Sequence, residues 1–142
     1  MKLLNTLATG FVAMTFILSV NVVRGQEAGT LAAGVFTDAQ AARGASVYSA
    51  SCESCHAADL RGNINAPSLL GMSFMFLWEG RSLEEFFITI QETMPSENPE
   101  SLPPQSYIDV VSYILQANNF PAGPTELQAE LDILRQIQIT EY

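Results

Sequence analysis

The chain has 142 residues, with 15 acidic side chains against 6 basic ones and a formal net charge of −9 at pH 7. This length suits one domain with a modest hydrophobic core. The acidity argues against nucleic-acid binding, which needs a basic surface, and it favours a protein partner with a basic patch, although plain solubility explains it equally well.

Residues 1–25 have the features of a secretory signal peptide. A short positive start precedes a largely apolar run from Leu3 to Val23, and a small-residue cleavage site follows before Gln26. We therefore predict export to the periplasm. The apolar run is also close to the length of about 20 residues that spans a bilayer, so an uncleaved membrane anchor is the alternative.

A flexible leader and a first helix are predicted next. Residues 26–36 are small and lack periodicity, which indicates the leader. The helix is predicted to run from Thr37 to about Ser51, because Thr37 and Gln40 have the spacing of a capping box. Gly44 is unfavourable inside a helix unless another element approaches closely there.

The only cysteines and the only histidine stand together in Cys52-Glu53-Ser54-Cys55-His56. The pattern Cys-x-x-Cys-His is the attachment signature of a c-type haem. In a helix, the three side chains share one face, so two thiols can bond the vinyl groups of a porphyrin while the imidazole binds its iron. We therefore predict one covalent haem c, attached through Cys52 and Cys55 and ligated by His56.

A structural disulfide and a thioredoxin-like redox pair are the alternatives for two cysteines in an exported chain. A disulfide across so short a loop removes little chain entropy and stabilises little. A thioredoxin-like pair requires a βαβ context, whereas the pattern here is helical. Haem attachment is favoured over both.

A turn-rich loop is predicted after His56, followed by an aromatic-rich run over residues 72–78 that lines the haem or the core. Pro67, in the loop, is a candidate to offer a backbone carbonyl to the second imidazole nitrogen, which would fix the ring. The alternative is that Pro67 only shapes a turn.

Further helices are predicted downstream. Capping boxes at Ser82–Glu85 and Thr125–Gln128 each mark a helix start. Between them, a strongly amphipathic helix is predicted from about Pro104 to Asn118. Residues 137–139 alternate apolar and polar side chains, which indicates an extended end.

Met94 is the candidate for the sixth iron ligand. Pro95 pushes Met94 out of helical geometry, so it lies where a helix turns into a loop. Met72 and Met75 lie in a hydrophobic run, where methionine usually fills gaps. The alternative for Met94 is ordinary core packing at the end of its helix.

These motifs resemble the class I cytochromes c, specifically the small exported cytochromes that serve alcohol and other quinoprotein dehydrogenases. The resemblance covers about residues 37–142. It rests on Gly44…Tyr48…Cys52-x-x-Cys55-His56, Ala66-Pro67-x-Leu69-x-Gly71, Phe74…Trp78-x-Gly80-x-Ser82-Leu83, Thr93-Met94-Pro95, Tyr107-x-Asp109-Val110-Val111-x-Tyr113-Ile114-Leu115 and Asn119-Phe120-Pro121-Ala122-Gly123.

The resemblance implies an all-α cytochrome c fold, with about four to five short helices around one covalent haem. It implies that His56 and Met94 are the axial ligands and that the Pro67 carbonyl holds the His56 ring. It also implies that Trp78 packs on the haem with its N–H near a propionate, and that the first helix crosses the 104–118 helix at Gly44. Ala57 departs from the family, which usually has glycine there, and the extension over residues 119–142 occurs in only part of the family.

The implied function is a periplasmic electron carrier and not an enzyme. It would pass single electrons from a dehydrogenase, such as a quinoprotein alcohol dehydrogenase, towards a terminal oxidase or an acceptor cytochrome. Ligation by a histidine and a methionine raises the reduction potential and closes the iron to substrates. The alternatives are a ligand-binding or sensing haem protein with an open iron site, and a fixed haem subunit of a dehydrogenase complex. No nucleic-acid partner is expected, and membrane contact is expected only if the signal segment is retained.

Overall fold

The structure, a computed structural model, describes residues 30–140 and is helical. The helices are α1 Asp38–Ser51, α2 Glu53–His56, α3 Gly71–Trp78, α4 Leu83–Thr93, α5 Pro104–Ala117 and α6 Leu131–Leu134. No strand forms within this part of the chain, which confirms the predicted all-α fold. The predicted signal peptide lies outside the described residues. No helix between residues 30 and 140 is both long and apolar enough to cross a membrane.

Helices α1 and α5 cross at Gly44. A Cβ atom on Gly44 would lie 1.9 Å from the Asp109 carbonyl oxygen, so only glycine allows the two backbones to approach this closely. The rings of Tyr48 and Tyr113 pack beside the crossing, with centroids 5.4 Å apart. This crossing orients the helix that leads directly into the cysteine motif.

The start of α1 departs from the predicted capping box. The Thr37 side chain accepts a hydrogen bond from the Gln40 N–H at 3.1 Å, as expected of an N-cap. The Gln40 side chain does not reciprocate. Its amide nitrogen donates to the Leu127 carbonyl, and its amide oxygen accepts from the Leu127 N–H, both at 2.8 Å. The fully buried Gln40 therefore fastens the C-terminal extension to α1.

The described part of the predicted flexible leader is packed. Residues 31–33 form a single 3-10 turn, and Leu31 and Phe36 are buried at 2% and 0% exposure. The Phe36 carbonyl accepts a hydrogen bond from the Gly123 N–H at 2.6 Å. Residues 30–36 of the predicted flexible leader are thus packed, because Leu31 and Phe36 are buried and the C-terminal extension is bonded to the Phe36 backbone.

The C-terminal extension contains less helix than predicted. The Thr125–Gln128 capping box does not form, since the Leu127 backbone is already bonded to Gln40 and the Gln128 side chain donates to the Glu126 carbonyl. Among residues 119–140, the only helix is the single turn α6. The extended end over residues 137–139 is confirmed by an isolated bridge between Gln138 and Ser82.

An ion-pair network also joins the extension to the helices. The Arg43 guanidinium, on α1, donates to Asp109 on α5 at 3.0 Å and to Glu126 in the extension at 2.8 Å. Asp109 is buried, whereas Arg43 and Glu126 are partly exposed. The two carboxylates raise the pKa of Arg43, and the Glu126 carboxylate has the larger effect. The arginine therefore stays charged.

The aromatic-rich run over residues 72–78 forms α3, but only one face of it is buried. Phe74 and Trp78 lie in the core, while Met72 and Phe76 are 89% and 90% exposed. The expectation that this run lines a haem or the core therefore holds for the face of α3 that carries Phe74 and Trp78. The reason is that an eight-residue helix on the surface buries a single stripe.

Candidate haem-binding site

A cavity of about 520 Å³ lies between the helices. This volume falls within the range of about 300–1,000 Å³ typical of small-molecule and cofactor pockets. Every site residue predicted from the sequence lines it, although these residues come from distant parts of the chain. They are Cys52, Cys55, His56, Pro67, Trp78 and Met94.

Cys52 and Cys55 are free thiols at the junction of α1 and α2. The His56 N–H bonds back to the Cys52 carbonyl at 2.9 Å, so a helical turn holds the motif with its side chains on one side. Burial raises the pKa of the Cys52 thiol to about 11, and the neighbouring Cys55 adds to the rise. Redox-active Cys-x-x-Cys pairs have lowered thiol pKa values instead, so this site is unlike a thioredoxin-type pair.

The His56 ring is oriented by a carbonyl. Its Nδ1 lies 3.1 Å from the Pro67 carbonyl oxygen. Because a carbonyl only accepts hydrogen bonds, Nδ1 is the donor, which leaves Nε2 as the ring nitrogen that can bind a metal. His56 is 8% exposed, and its ring borders the cavity.

Gly62 makes this arrangement sterically feasible, and it was not singled out from the sequence. Its φ angle is +69°, and a Cβ atom on it would lie 2.6 Å from the Pro67 carbonyl oxygen. Its N–H donates to the His56 carbonyl at 2.9 Å. The only sequence signal is a glycine in a loop, which does not reveal the close approach.

Met94 directly follows α4 as its C-cap and is extended, with φ −126° and ψ 148°, as the following proline predicts. Its backbone carbonyl accepts a hydrogen bond from the Tyr107 hydroxyl at 2.9 Å. Tyr107 is buried, whereas the sequence identified it only as part of a motif that the chain shares with the family it resembles. Neither Met72 nor Met75 borders the cavity, so Met94 is the only methionine of residues 30–140 that does.

Trp78 and Arg81 form another part of the cavity wall. Trp78 is 8% exposed, and its ring packs on Phe86 with centroids 4.6 Å apart. The guanidinium carbon of Arg81 lies 4.7 Å from the centre of the Trp78 ring. Within the described chain, Arg81 is the only lysine or arginine that lines the cavity. Sequence reasoning missed Arg81, because no local pattern in the sequence places its side chain beside the cavity.

The donor set fits a haem better than a bare metal ion. Between residues 30 and 140, no group of three or more His, Cys, Asp or Glu side chains could hold a metal ion. The cavity instead offers two thiols, one imidazole nitrogen and one thioether among mainly apolar neighbours. A c-type haem requires this set: two thiols for its vinyl groups, and one nitrogen and one sulfur donor for its iron.

Comparison with known proteins agrees with this chemistry. Residues 39–114, more than half of the chain, match the family described as cytochrome c oxidase, cbb3-type, subunit III. The matched segment contains the cysteine motif, Pro67, Trp78 and Met94. No curated protein sequence and no solved structure matches the chain.

Proposed function

The chain belongs to the c-type cytochrome family described as cytochrome c oxidase, cbb3-type, subunit III, and we propose that it is a periplasmic mono-haem electron carrier with His56 and Met94 as axial ligands. Haem-based electron transfer follows from the family. The proposed ligand pair is supported by one observation above all. His56, with Nδ1 bonded to Pro67, and Met94 border the same cavity although they are 38 residues apart in the sequence.

The side chains around the cavity have distinct roles in this proposal. Bound haem c supplies an iron that alternates between the ferrous and ferric states. Cys52 and Cys55 hold the group covalently, and the Pro67 carbonyl fixes the His56 ring and increases its basicity. The soft Met94 sulfur would bind the iron and would favour its ferrous state. The protein then transfers electrons without binding a substrate at the iron.

Redox partner proteins are proposed from the charge of the chain. With 15 acidic and 6 basic side chains, it would dock on a basic patch of a partner. The proposed donor is a dehydrogenase, for which a quinoprotein alcohol dehydrogenase is the candidate, and the proposed acceptor is an oxidase or another cytochrome. Electron transfer to such a partner should slow as salt concentration rises, because salt screens the attraction.

Replacing Met94 with alanine tests the ligand assignment. In the matured wild-type protein we expect a sulfur-to-iron charge-transfer band, a positive midpoint potential and negligible binding of carbon monoxide. Met94→Ala should lose the band, lower the potential and bind carbon monoxide readily. Met72→Ala is the matched control, because Met72 is 89% exposed and should leave all three properties unchanged. Free binding of carbon monoxide by the wild type, unaffected by Met94→Ala, would contradict the proposal.

A further inference from the structure

The extended end of the chain is hydrogen-bonded to the connection between α3 and α4. The Ile139 N–H donates to the Arg81 carbonyl at 2.8 Å, and the Gly80 N–H donates to the Ile139 carbonyl at 2.8 Å. A third bond joins the Leu83 N–H to the Ile137 carbonyl at 2.9 Å. Since Ile137 and Ile139 are 2% and 0% exposed, their side chains anchor this pairing in the core. The backbone of Arg81 is therefore held by the C-terminal extension.

The Arg81 side chain is held by two further contacts. Its guanidinium lies over Trp78, and its Nε and Nη2 donate to one carboxylate oxygen of Glu85 at 3.2 and 3.1 Å. The side chain is 45% exposed, so these contacts rather than burial set its direction. An arginine stays protonated at any pH of interest, which makes Arg81 the one permanent positive charge among the described residues that line the cavity.

We propose that residues 137–139 are a positioning element of the haem site, which holds Arg81 as the fixed positive charge beside the cofactor. This inference rests on the proposed haem-carrying function. A nearby positive charge disfavours ferric iron, which carries one more positive charge than ferrous iron, and it can pair with the haem carboxylates. The extension would then tune the reduction potential in addition to covering the core.

The hydrogen bonds of Ile139 lie where the turn before Arg81 has little other support. Gly80 has a φ of +77°, and a Cβ atom on it would touch nothing within 4 Å, so the turn before Arg81 is not restrained by packing at that point. The bonds to Ile139 flank this turn on both sides. Without them, the Gly80 N–H and the Arg81 carbonyl would lose their partners, and among the described residues the bond from the Arg81 N–H to the Trp78 carbonyl at 3.0 Å would be the one backbone bond left to hold Arg81 beside the cavity.

Two substitutions at one position separate the hydrogen bond from the side chain. In the haem-bearing protein, Ile139→Pro removes both the N–H that bonds to Arg81 and the isoleucine side chain, whereas Ile139→Ala removes mainly the side chain. We expect the midpoint potential to fall in Ile139→Pro relative to Ile139→Ala. Arg81→Gln should also lower the potential. In an Arg81→Gln background, the proline and alanine variants should have equal potentials, because the charge on which the bond acts is absent.

The outcomes distinguish this inference from the proposed function. Equal potentials of Ile139→Pro and Ile139→Ala, or an unchanged potential in Arg81→Gln, would overturn the positioning role. If Ile139→Pro does not fold, a chain that ends at Gln138 replaces it in the same comparison. The sulfur-to-iron band should persist in every variant. Its absence from the wild type would instead overturn the proposed ligand set.

Discussion

The hydroxyl of Tyr107 donates a hydrogen bond to the Met94 carbonyl at 2.9 Å and accepts one from the Leu102 N–H at 3.3 Å. It thereby joins the two ends of the loop that separates α4 from α5. Tyr107 is 1% exposed, so water does not readily replace either bond. Because Met94 begins this loop, the buried tyrosine fixes the backbone of the proposed iron ligand.

Tyr107→Phe should weaken the hold on Met94. The ring still fills its place in the core, but the Met94 carbonyl and the Leu102 N–H lose a partner. We expect a loss of about 1–3 kcal/mol in the free energy of unfolding, together with faster binding of carbon monoxide to the ferrous protein. Urea unfolding and rapid-mixing absorbance measure the two effects. Tyr113→Phe, on the same helix but packed on Tyr48, is the control, and equal carbon monoxide binding in the two variants would refute the role of Tyr107.

Ala57, directly after His56, has a backbone conformation that suits glycine. Its φ is 64° and its ψ is 156°, a region that side-chain-bearing residues rarely adopt. Its carbonyl accepts a hydrogen bond from the Tyr48 hydroxyl at 2.7 Å, and its N–H bonds to the Glu53 carbonyl at 2.9 Å. These contacts hold the residue in a conformation that costs about 1–3 kcal/mol. The structure thus explains why glycine is usual at this position in the family that the sequence resembles.

Ala57→Gly should therefore stabilise the protein by about 1 kcal/mol. The backbone strain that the folded state loses is worth more free energy than the conformational entropy that glycine adds to the unfolded chain. Ala58→Gly is the matched control. Ala58 does not share the positive φ, so glycine there should destabilise by about 0.4–1 kcal/mol. Thermal unfolding of the haem-bearing variants measures both changes, and shifts of the same sign would show that Ala57 is not strained.

Local patterns in the sequence predicted the parts of the fold that local chemistry decides. The Ser82–Glu85 capping box forms as expected, and Pro95 ends the helix at Met94. The Gln40 side chain was placed wrongly because a capping box satisfies one backbone donor, whereas Leu127 offers a donor and an acceptor together. That partner is distant along the chain, so no local pattern indicates it.

In the candidate site, too, the sequence predicted what local spacing decides and missed what distant contacts decide. The spacing of the cysteine motif alone predicted which side chains would bind a haem, since attachment requires one helical face. Gly62, Arg81 and Tyr107 were missed because their contacts are with residues that only the fold brings near. Gly62 lies against the Pro67 carbonyl, the Arg81 carbonyl is bonded to Ile139, and the Tyr107 hydroxyl is bonded to Met94. Such contacts leave no periodic or spacing signal in a single sequence.

Gly44→Ala distinguishes local propensity from tertiary packing. Helix propensity alone predicts a gain of about 1 kcal/mol from this change. The new methyl group would instead lie 1.9 Å from the Asp109 carbonyl oxygen, so α1 and α5 would have to separate. We expect a net loss of about 1–3 kcal/mol or more, typical of overpacking. Urea unfolding measures it, and a stabilised variant would contradict the close helix crossing.

Glu85 should make stability depend on pH on the acid side. Its carboxylate accepts hydrogen bonds from the Ser82 N–H and from the Arg81 guanidinium. These bonds lower the pKa of Glu85, and the bond from the Ser82 N–H has the largest effect. The ordinary pKa of a glutamate side chain is about 4.3. Since the folded state then binds this proton less readily than the unfolded state, the stabilisation is complete above the ordinary pKa and is lost as pH falls through the lower folded-state value.

Glu85→Gln tests this dependence. The amide can still cap the helix but carries no charge, so the variant should be less stable than the wild type at neutral pH. The difference in unfolding free energy should shrink as pH falls below about 4, where the unfolded wild-type chain binds the proton. Urea unfolding at several pH values measures it, with Glu92→Gln, an exposed position on the same helix, as the control for loss of one negative charge. A difference between wild type and Glu85→Gln that stays constant with pH would show that these hydrogen bonds do not perturb the carboxylate.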